Sequence, residues 1–124
     1  MYGVHRFRQL AVWLRSISVA EEIYRATSDF PKSERYGLVP QMRRSAVSIA
    51  SNIAEGSSRA TDRDVRRFLA ISRGSASELE TQVLIANRVG LITDDETVRL
   101  TGQIDEVKAM LIGLATNLAP SREA

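Results

Sequence analysis

The chain of 124 residues contains no cysteine. This absence excludes a disulfide scaffold, a thiol nucleophile and the zinc sites that are built on cysteine, and it favours a reducing compartment. Histidine is almost as scarce. His5 is the only one, so catalysis or metal binding through histidine would depend on a single residue near the N-terminus. We therefore expect no catalytic site, no metal site and no cofactor.

Long apolar runs are also missing. No stretch approaches the roughly 18 apolar residues of a membrane-spanning helix, and the N-terminus lacks the order of a secretory signal peptide, so we expect a cytoplasmic protein without a membrane partner. Seven glycines and three prolines leave room for long uninterrupted elements, which argues against a many-turned β sandwich. With 44% hydrophobic and 26% charged residues, the chain is predicted to form one domain over residues 1–124.

Four segments have the three- and four-residue spacing of apolar side chains that is typical of an α-helix. They predict helices over residues 9–29, 39–55, 62–89 and 94–118. Because no segment alternates apolar and polar residues as a half-buried strand does, the chain is predicted to be all-α. Four amphipathic helices with short connections bury their apolar sides by packing antiparallel, as an up-down-up-down four-helix bundle. The apolar stripe predicted for the first helix consists of Leu10, Trp13, Ile17, Ala20, Tyr24 and Thr27.

Single residues predict where several of these helices begin and end. Thr61 and Thr93 are each followed three residues later by an acidic residue, which is the spacing of a capping pair at a helix start. Gly90 is expected to stop the third helix. Gly56 is expected to close the second helix as the first residue beyond its end.

The second predicted helix carries a small polar stripe on the side away from its apolar residues. Serine and asparagine are mediocre helix formers, so their presence in mid-helix suggests that another helix approaches closely; a solvated face with short side chains is the alternative. On the third helix, Gly74 is expected to make a close backbone contact for the same reason. The stripes consist of Gln41, Ser45, Ser48, Asn52 and Glu55 on the second helix, and of Ser75, Glu78 and Gln82 on the third.

Acidic residues on these two helices allow two interpretations. If the helices form a hairpin, Arg44 comes to lie near residues 74–78, which predicts an ion pair between Arg44 and Glu78. The carboxylates of Glu55, Glu78 and Glu80 could instead serve catalysis or hold a metal in the bundle core. Di-metal bundles use Glu-x-x-His motifs, and no predicted helix of this chain contains a histidine, so we favour the structural interpretation.

Arginine accounts for 15 of the 17 cationic residues, in a chain whose net charge is +2 and whose pI is about 9.4. A row of arginines on one helix side is the electrostatic outline of a surface that binds nucleic-acid phosphates; a solvated helix face is the alternative. No aromatic residue is interleaved with the row, and Phe68 is assigned to the core, so stacking of single-stranded bases is not expected. The row at the start of the third helix consists of Arg59, Arg63, Arg66, Arg67 and Arg73.

The chain contains the strings QMRRSAVSI at 41–49, SNIAEG at 51–56 and ELETQ at 78–82. These and several shorter strings resemble the four-helix bundle family of 23S rRNA intervening-sequence proteins. The resemblance covers roughly residues 7–118, and its most specific part is the series Ser-Ile-x-x-Asn-Ile-Ala-Glu-Gly at 48–56. Pro40 and Ala50 depart from the family's pattern, in which a small polar residue and a proline are usual. The strings are ERYGL at 34–38, QMRRSAVSI at 41–49, SNIAEG at 51–56, FLAI at 68–71, GS at 74–75 and ELETQ at 78–82, together with Phe7, Leu10, Val12 and Trp13.

The resemblance implies a small cytosolic bacterial protein that assembles into a homopentamer. The chain also resembles the accessory protein of diversity-generating retroelements, a basic pentameric bundle that engages nucleic acid and a reverse transcriptase. The family's name describes where some of its genes lie and is not a biochemical function, and the resemblance brings no catalytic residue with it.

The sequence therefore favours a non-enzymatic homo-oligomeric bundle, expected to be a pentamer, that binds RNA or other nucleic acid through the five arginines of the row. The alternative is a platform for a protein partner, on which the arginines only confer solubility. The residues assigned to polar pairing within the fold or at a subunit interface are Gln41, Arg44, Ser48, Asn52, Glu55 and Glu78.

Overall fold

The structure is a computed structural model that describes the backbone of residues 6–118 and the side chains of residues 7–118. Its four α-helices are α1 (Ala11–Ser28), α2 (Leu38–Ser57), α3 (Asp62–Arg88) and α4 (Asp94–Thr116). Two short 3-10 helices, Arg6–Gln9 and Lys32–Glu34, precede α1 and α2. No strand occurs over residues 6–118, so the all-α prediction is confirmed there. None of these helices has the length and apolar content needed to cross a bilayer.

Contacts between named residues show that α2 and α3 run antiparallel. In the middle of both helices, the hydroxyl groups of Ser48 and Ser75 lie 2.8 Å apart. Near the end of α2, Gly56 lies against Phe68, which is close to the start of α3. At the other side of α2, Arg43 near its start donates to Thr27 near the end of α1, as expected for antiparallel neighbours.

The first and last helices close the bundle through two ion pairs. Arg15 pairs with Glu106, and Arg99 Nη1 lies 2.7 Å from Glu22 Oε1, so the chain directions of α1 and α4 are also opposed. Both α1 and α3 pack against α2 and α4, which places α1 and α3 at opposite corners. The described residues thus form an up-down-up-down four-helix bundle.

The buried side of α1 differs from the predicted stripe. Its buried residues are Val12, Ser16, Val19, Ile23 and Thr27, whereas the side chain of Tyr24 is 44% exposed. Of the predicted stripe only Thr27 is buried, whereas Leu10, Trp13, Ile17 and Ala20 are half-buried at the edge of the core. Sequence patterning leaves out Ser16 because it treats the hydroxyl of that residue as polar. Ser16 Oγ donates to the carbonyl of Trp13 at 2.6 Å and Thr27 Oγ1 donates to that of Ile23 at 2.7 Å, so both hydroxyls are satisfied inside the helix.

The predicted caps and the stop at Gly90 are present. The hydroxyl of Thr61 accepts from the backbone N–H of Asp64, and that of Thr93 from the N–H of Glu96, each at 3.1 Å. Gly90 has φ of 82°, and the N–H of Leu91 donates to the carbonyl of Ala86 at 2.8 Å. This is the pattern of a Schellman motif, in which glycine avoids the strain of a left-handed backbone.

The expectation for Gly56 is wrong. Helix α2 continues to Ser57, and Gly56 is buried inside its last turn. A Cβ atom at Gly56 would lie 2.9 Å from Phe68 Cβ and 3.5 Å from the carbonyl oxygen of Val65. Glycine is required here because α2 and α3 approach too closely for a side chain, and not because the backbone turns.

Replacing Gly56 by alanine tests this close approach. We expect Gly56→Ala to lower the free energy of unfolding by about 1–2 kcal/mol, because the overlap with Phe68 outweighs the gain in helix propensity. Gly102→Ala is the matched control, since a Cβ there meets nothing within 4 Å. It should stabilise the protein by up to about 1 kcal/mol. Chemical denaturation measures both, and a Gly56→Ala protein as stable as the control would contradict the account.

Candidate nucleic-acid interface

Four arginines of the predicted row, Arg59, Arg63, Arg66 and Arg67, lie where α2 ends and α3 begins. Arg73 lies farther along α3, close to the contact between Ser75 and Ser48. We call this set, Arg59, Arg63, Arg66, Arg67 and Arg73, the arginine face. Arg63, Arg67 and Arg73 are exposed, while Arg59 and Arg66 are half-buried. The face is not uniform, because α3 directs its members to two different sides.

On the side toward α2, two guanidinium groups lie over one aromatic ring. The Cζ atoms of Arg59 and Arg67 are 4.6 Å and 4.4 Å from the centroid of the Phe68 ring. Phe68 is half-buried, so the expectation that no aromatic residue is interleaved with the arginines is wrong. Phe68 was assigned to the core because its spacing fits the apolar stripe, but it lies at the edge of that stripe. There its Cβ packs on Gly56 and its ring supports the arginines.

Carboxylates partly neutralise this pair of arginines. Glu55 forms an ion pair with Arg59 across one turn, and Asp64 Oδ1 lies 4.0 Å from Arg67 Nε. The Nε atom of Arg59 is buried and has no hydrogen-bond partner within residues 7–118. Glu55, which was predicted to serve polar pairing, therefore forms an ion pair within the protomer with Arg59 of the arginine face.

On the side toward α4, Arg66 and Arg73 flank a groove of about 220 Å³. The groove has an apolar floor that includes Leu69, Leu111 and Ile112. Within residues 7–118, neither Arg63 nor Arg73 has a carboxylate within 4.0 Å. Both side chains are exposed, so their guanidinium donors are accessible to an anion from solvent.

The polar stripe of α2 lies partly in the contact with α3 of the same protomer. Besides the Ser48–Ser75 contact, Asn52 Nδ2 donates to the carbonyl oxygen of Ser48 at 2.9 Å and to its hydroxyl oxygen at 3.0 Å. Ser72 lies on the buried side of α3 among mostly apolar residues, is fully buried, and donates to the carbonyl of Ile49 at 2.8 Å. A serine within an otherwise apolar stripe was the only sequence signal for this hydrogen bond between helices.

The other stripe residues do not pair across this contact. Gln41, Arg44 and Glu78 are exposed, and the predicted ion pair between Arg44 and Glu78 is not formed among the described residues. Arg44 is on the outer side of α2, where it lines a groove with Tyr24 of α1 and so is directed away from α3. The close contact expected at Gly74 is also not made within the protomer, because a Cβ there would meet nothing within 4 Å.

The three carboxylates considered for catalysis have separate surroundings. Glu55 pairs with Arg59, Glu80 Oε1 lies 3.0 Å from Lys108 Nζ on α4, and Glu78 is exposed. Over residues 7–118, no group of three or more histidine, aspartate or glutamate side chains is arranged to hold a metal ion. The described carboxylates therefore do not converge on one point.

Two buried serines in the α2–α3 contact provide a test of its polar bonds. Ser72→Ala should lower the free energy of unfolding by about 1 kcal/mol, because the bond to Ile49 is lost. Ser45 is equally enclosed, but its hydroxyl has no hydrogen-bond partner among the described residues. Ser45→Ala should therefore leave stability unchanged or raise it by up to about 1 kcal/mol. If thermal denaturation shows a larger loss for Ser45→Ala than for Ser72→Ala, the assignment of these bonds is wrong.

These features define an all-α four-helix bundle whose α2–α3 contact is hydrogen-bonded through serines and whose third helix carries a basic surface. The model of the family described as 23S rRNA-intervening sequence protein matches residues 8–113. The chain belongs to this family, as the resemblance of its residues indicated.

A solved structure shows that the fold is shared. A protein of unknown function from the S23 ribosomal protein family of Bacteroides thetaiotaomicron superposes with a TM-score of 0.78 at 23% sequence identity. The superposition covers 86% of this chain and 100% of the other. Among curated proteins, none matches the chain.

Proposed function

We propose that this protein is a non-enzymatic bundle that binds RNA or other nucleic acid through the arginine face, with little sequence preference. The observation that carries the proposal is the exposure of Arg63, Arg67 and Arg73 along one helix. Two of the three have no carboxylate within 4.0 Å in the described part of the chain. A surface of this kind attracts phosphates at long range and holds them through forked guanidinium bonds.

The chemistry of the face favours phosphates over bases. Stacking on Phe68 restrains Arg59 and Arg67, so less side-chain freedom is lost when a phosphate binds. The ring is covered by these two guanidinium groups and is not offered to a base. Because contacts to phosphate carry no direct sequence information, binding should depend on the charge and shape of the nucleic acid more than on its sequence.

We also propose that the protein self-associates, as a pentamer if it follows the assembly that the resemblance implies. Gly74 supports this proposal. A glycine within a helix costs about 1 kcal/mol relative to alanine, and at Gly74, as at Gly102 and Gly113, no contact among the described residues compensates for it. What distinguishes Gly74 is the set of short side chains around it. Ala70, Ser77 and Thr81 are exposed on the same side of α3. Their short side chains would let a neighbouring helix approach, and repeated copies of the arginine face would bind one polyanion with avidity.

A triple substitution tests the binding. Arg63→Ala, Arg67→Ala and Arg73→Ala together should weaken binding to duplex RNA and reduce the slope of log affinity against log salt by about 2 to 3, since each lost phosphate contact contributes about 0.9 for a duplex. The matched control removes three exposed cations elsewhere, through Arg25→Ala, Lys32→Ala and Arg88→Ala. Fluorescence titration over a range of salt concentrations measures both. Equal losses in the two triple variants would mean that net charge, and not the arginine face, determines binding.

Self-association is tested at Gly74. We expect Gly74→Leu to lower the mass in solution at a given protein concentration, because the larger side chain blocks close approach of a second copy. Gly113→Leu is the control, since Gly113 is also exposed and a Cβ there meets nothing within 4 Å. Light scattering over a dilution series measures the mass. A wild-type protein that is monomeric throughout, or equal effects of both substitutions, would refute the proposal.

A platform for a protein partner is the second candidate function. It is favoured by exposed apolar side chains on either side of the α3–α4 turn, where Val89 is 62% and Val98 is 71% exposed. Leu84 and Ile85 are also exposed there. Wild-type protein that fails to bind any RNA at low salt would leave this candidate as the better account of the surface.

A further inference from the structure

An open groove of about 520 Å³ lies between the end of α1 and the start of α2. We call it the α1–α2 groove. It is at the other end of α2 from Arg59 and Arg67, and nothing in the proposed function uses it. Its lining includes Tyr24, Arg35, Val39, Arg43, Arg44 and Val47.

The groove is cationic without a compensating carboxylate in its lining. Arg35 and Arg44 are exposed and form no ion pair among the described residues. The carboxylate nearest in sequence, Glu34, is committed elsewhere, because its Oε1 accepts from the backbone N–H of Leu38 at the start of α2 at 3.0 Å. The groove therefore presents three guanidinium groups, including that of Arg43, to whatever enters it.

The guanidinium of Arg43 is held in place by the protein. Its Nε donates to Thr27 Oγ1 at 2.9 Å and its Nη2 donates to the carbonyl of Tyr24 at 3.3 Å. Its Cζ lies 4.4 Å from the centroid of the Tyr24 ring. A guanidinium fixed in this way binds an anion with little loss of side-chain freedom, which distinguishes a formed site from a flexible surface cation.

Apolar and aromatic surfaces lie beside these charges. Val47 and Tyr24, which we call the apolar wall of the groove, are each 44% exposed. Arg35, which lines the groove, has its Cζ 5.6 Å from the centroid of the Tyr36 ring, and Tyr36 is 86% exposed. Aromatic faces and guanidinium planes are the surfaces on which unpaired bases stack. The carboxylates of an acidic peptide would pair with the arginines, but such a peptide would offer no planar group to pack against the apolar wall.

We propose that the α1–α2 groove binds a nucleotide unit, with its phosphate on Arg35, Arg43 and Arg44 and its base against Tyr36 and the apolar wall. The same chemistry is offered by a free nucleotide and by a single-stranded nucleic acid. The proposal stands apart from the arginine face, since the two surfaces share no residue.

The test uses a parent protein that already carries the triple substitution in the arginine face, so that failure of one proposal does not hide the other. The probe is a labelled oligouridylate of about ten nucleotides, within the length that one single-strand site covers. Arg35→Ala with Arg44→Ala should weaken its binding about tenfold or more. The salt slope should fall by about 1.4, because each phosphate contact to a single strand contributes about 0.7.

Two controls distinguish binding at a specific site from a general effect of the protein's positive charge. Arg25→Ala with Arg88→Ala removes the same charge from exposed positions outside the groove and should change the affinity less than twofold. Tyr36→Leu changes no charge. Because it replaces an almost fully exposed side chain, it leaves the fold intact. It should weaken oligouridylate binding about fivefold while leaving the weak binding of inorganic phosphate unchanged.

Competition distinguishes the two sources of the nucleotide. If uridine monophosphate displaces the probe, the groove accepts a free nucleotide; if only the oligomer binds, it accepts a single strand, and either result supports the site. Equal losses in the two double variants would overturn the proposal, as would unchanged binding in Arg35→Ala with Arg44→Ala. A fall in solution mass with unchanged binding would also overturn it, because the groove would then receive a second copy of the chain.

Discussion

The close antiparallel contact of α2 with α3 is the constraint on which the rest of the structure depends. Gly56 brings the two backbones together at one end, and hydrogen bonds from Ser72 and between Ser48 and Ser75 hold them in the middle. Small side chains and a hydroxyl bonded to a backbone carbonyl leave the rotation of each helix little freedom. The outward direction of every charged residue on these helices follows from that rotation.

The two basic surfaces are consequences of this arrangement. Because α3 turns its apolar side to α2 and α4, the arginines at its start are left outside, on either side of the helix. Phe68 lies at the edge where α3 meets α2, and it converts one part of the row into a pair of restrained guanidinium groups. On the far side of α2, Arg43 and Arg44 are turned toward α1 and away from α3, so they form a separate surface.

How much the sequence could predict depended on whether a feature is local. The caps at Thr61 and Thr93 and the stop at Gly90 were predicted because each needs only a few neighbouring residues. The Arg44–Glu78 pair was mispredicted because it depends on the rotation of two helices, which spacing along either one does not define. The arginine face was predicted as a row, but its support by Phe68 requires knowing how closely α2 approaches, and Gly56 had been interpreted as a helix end.

The length of α2 sets how its two charged ends influence each other. Gly56, which lies against Phe68, is twelve positions after Arg44, and at about 1.5 Å per residue this distance is about 18 Å along the axis. That is roughly two Debye lengths at physiological ionic strength, where screening extends over about 8 Å. An anion held over Phe68 by Arg59 and Arg67 therefore contributes little repulsion at Arg44. Arg73 lies nearer to Arg44, because its neighbours Ser72 and Ser75 contact Ile49 and Ser48 in the middle of α2. The length of α2 thus separates the two restrained arginines at Phe68 from the α1–α2 groove by about two screening lengths.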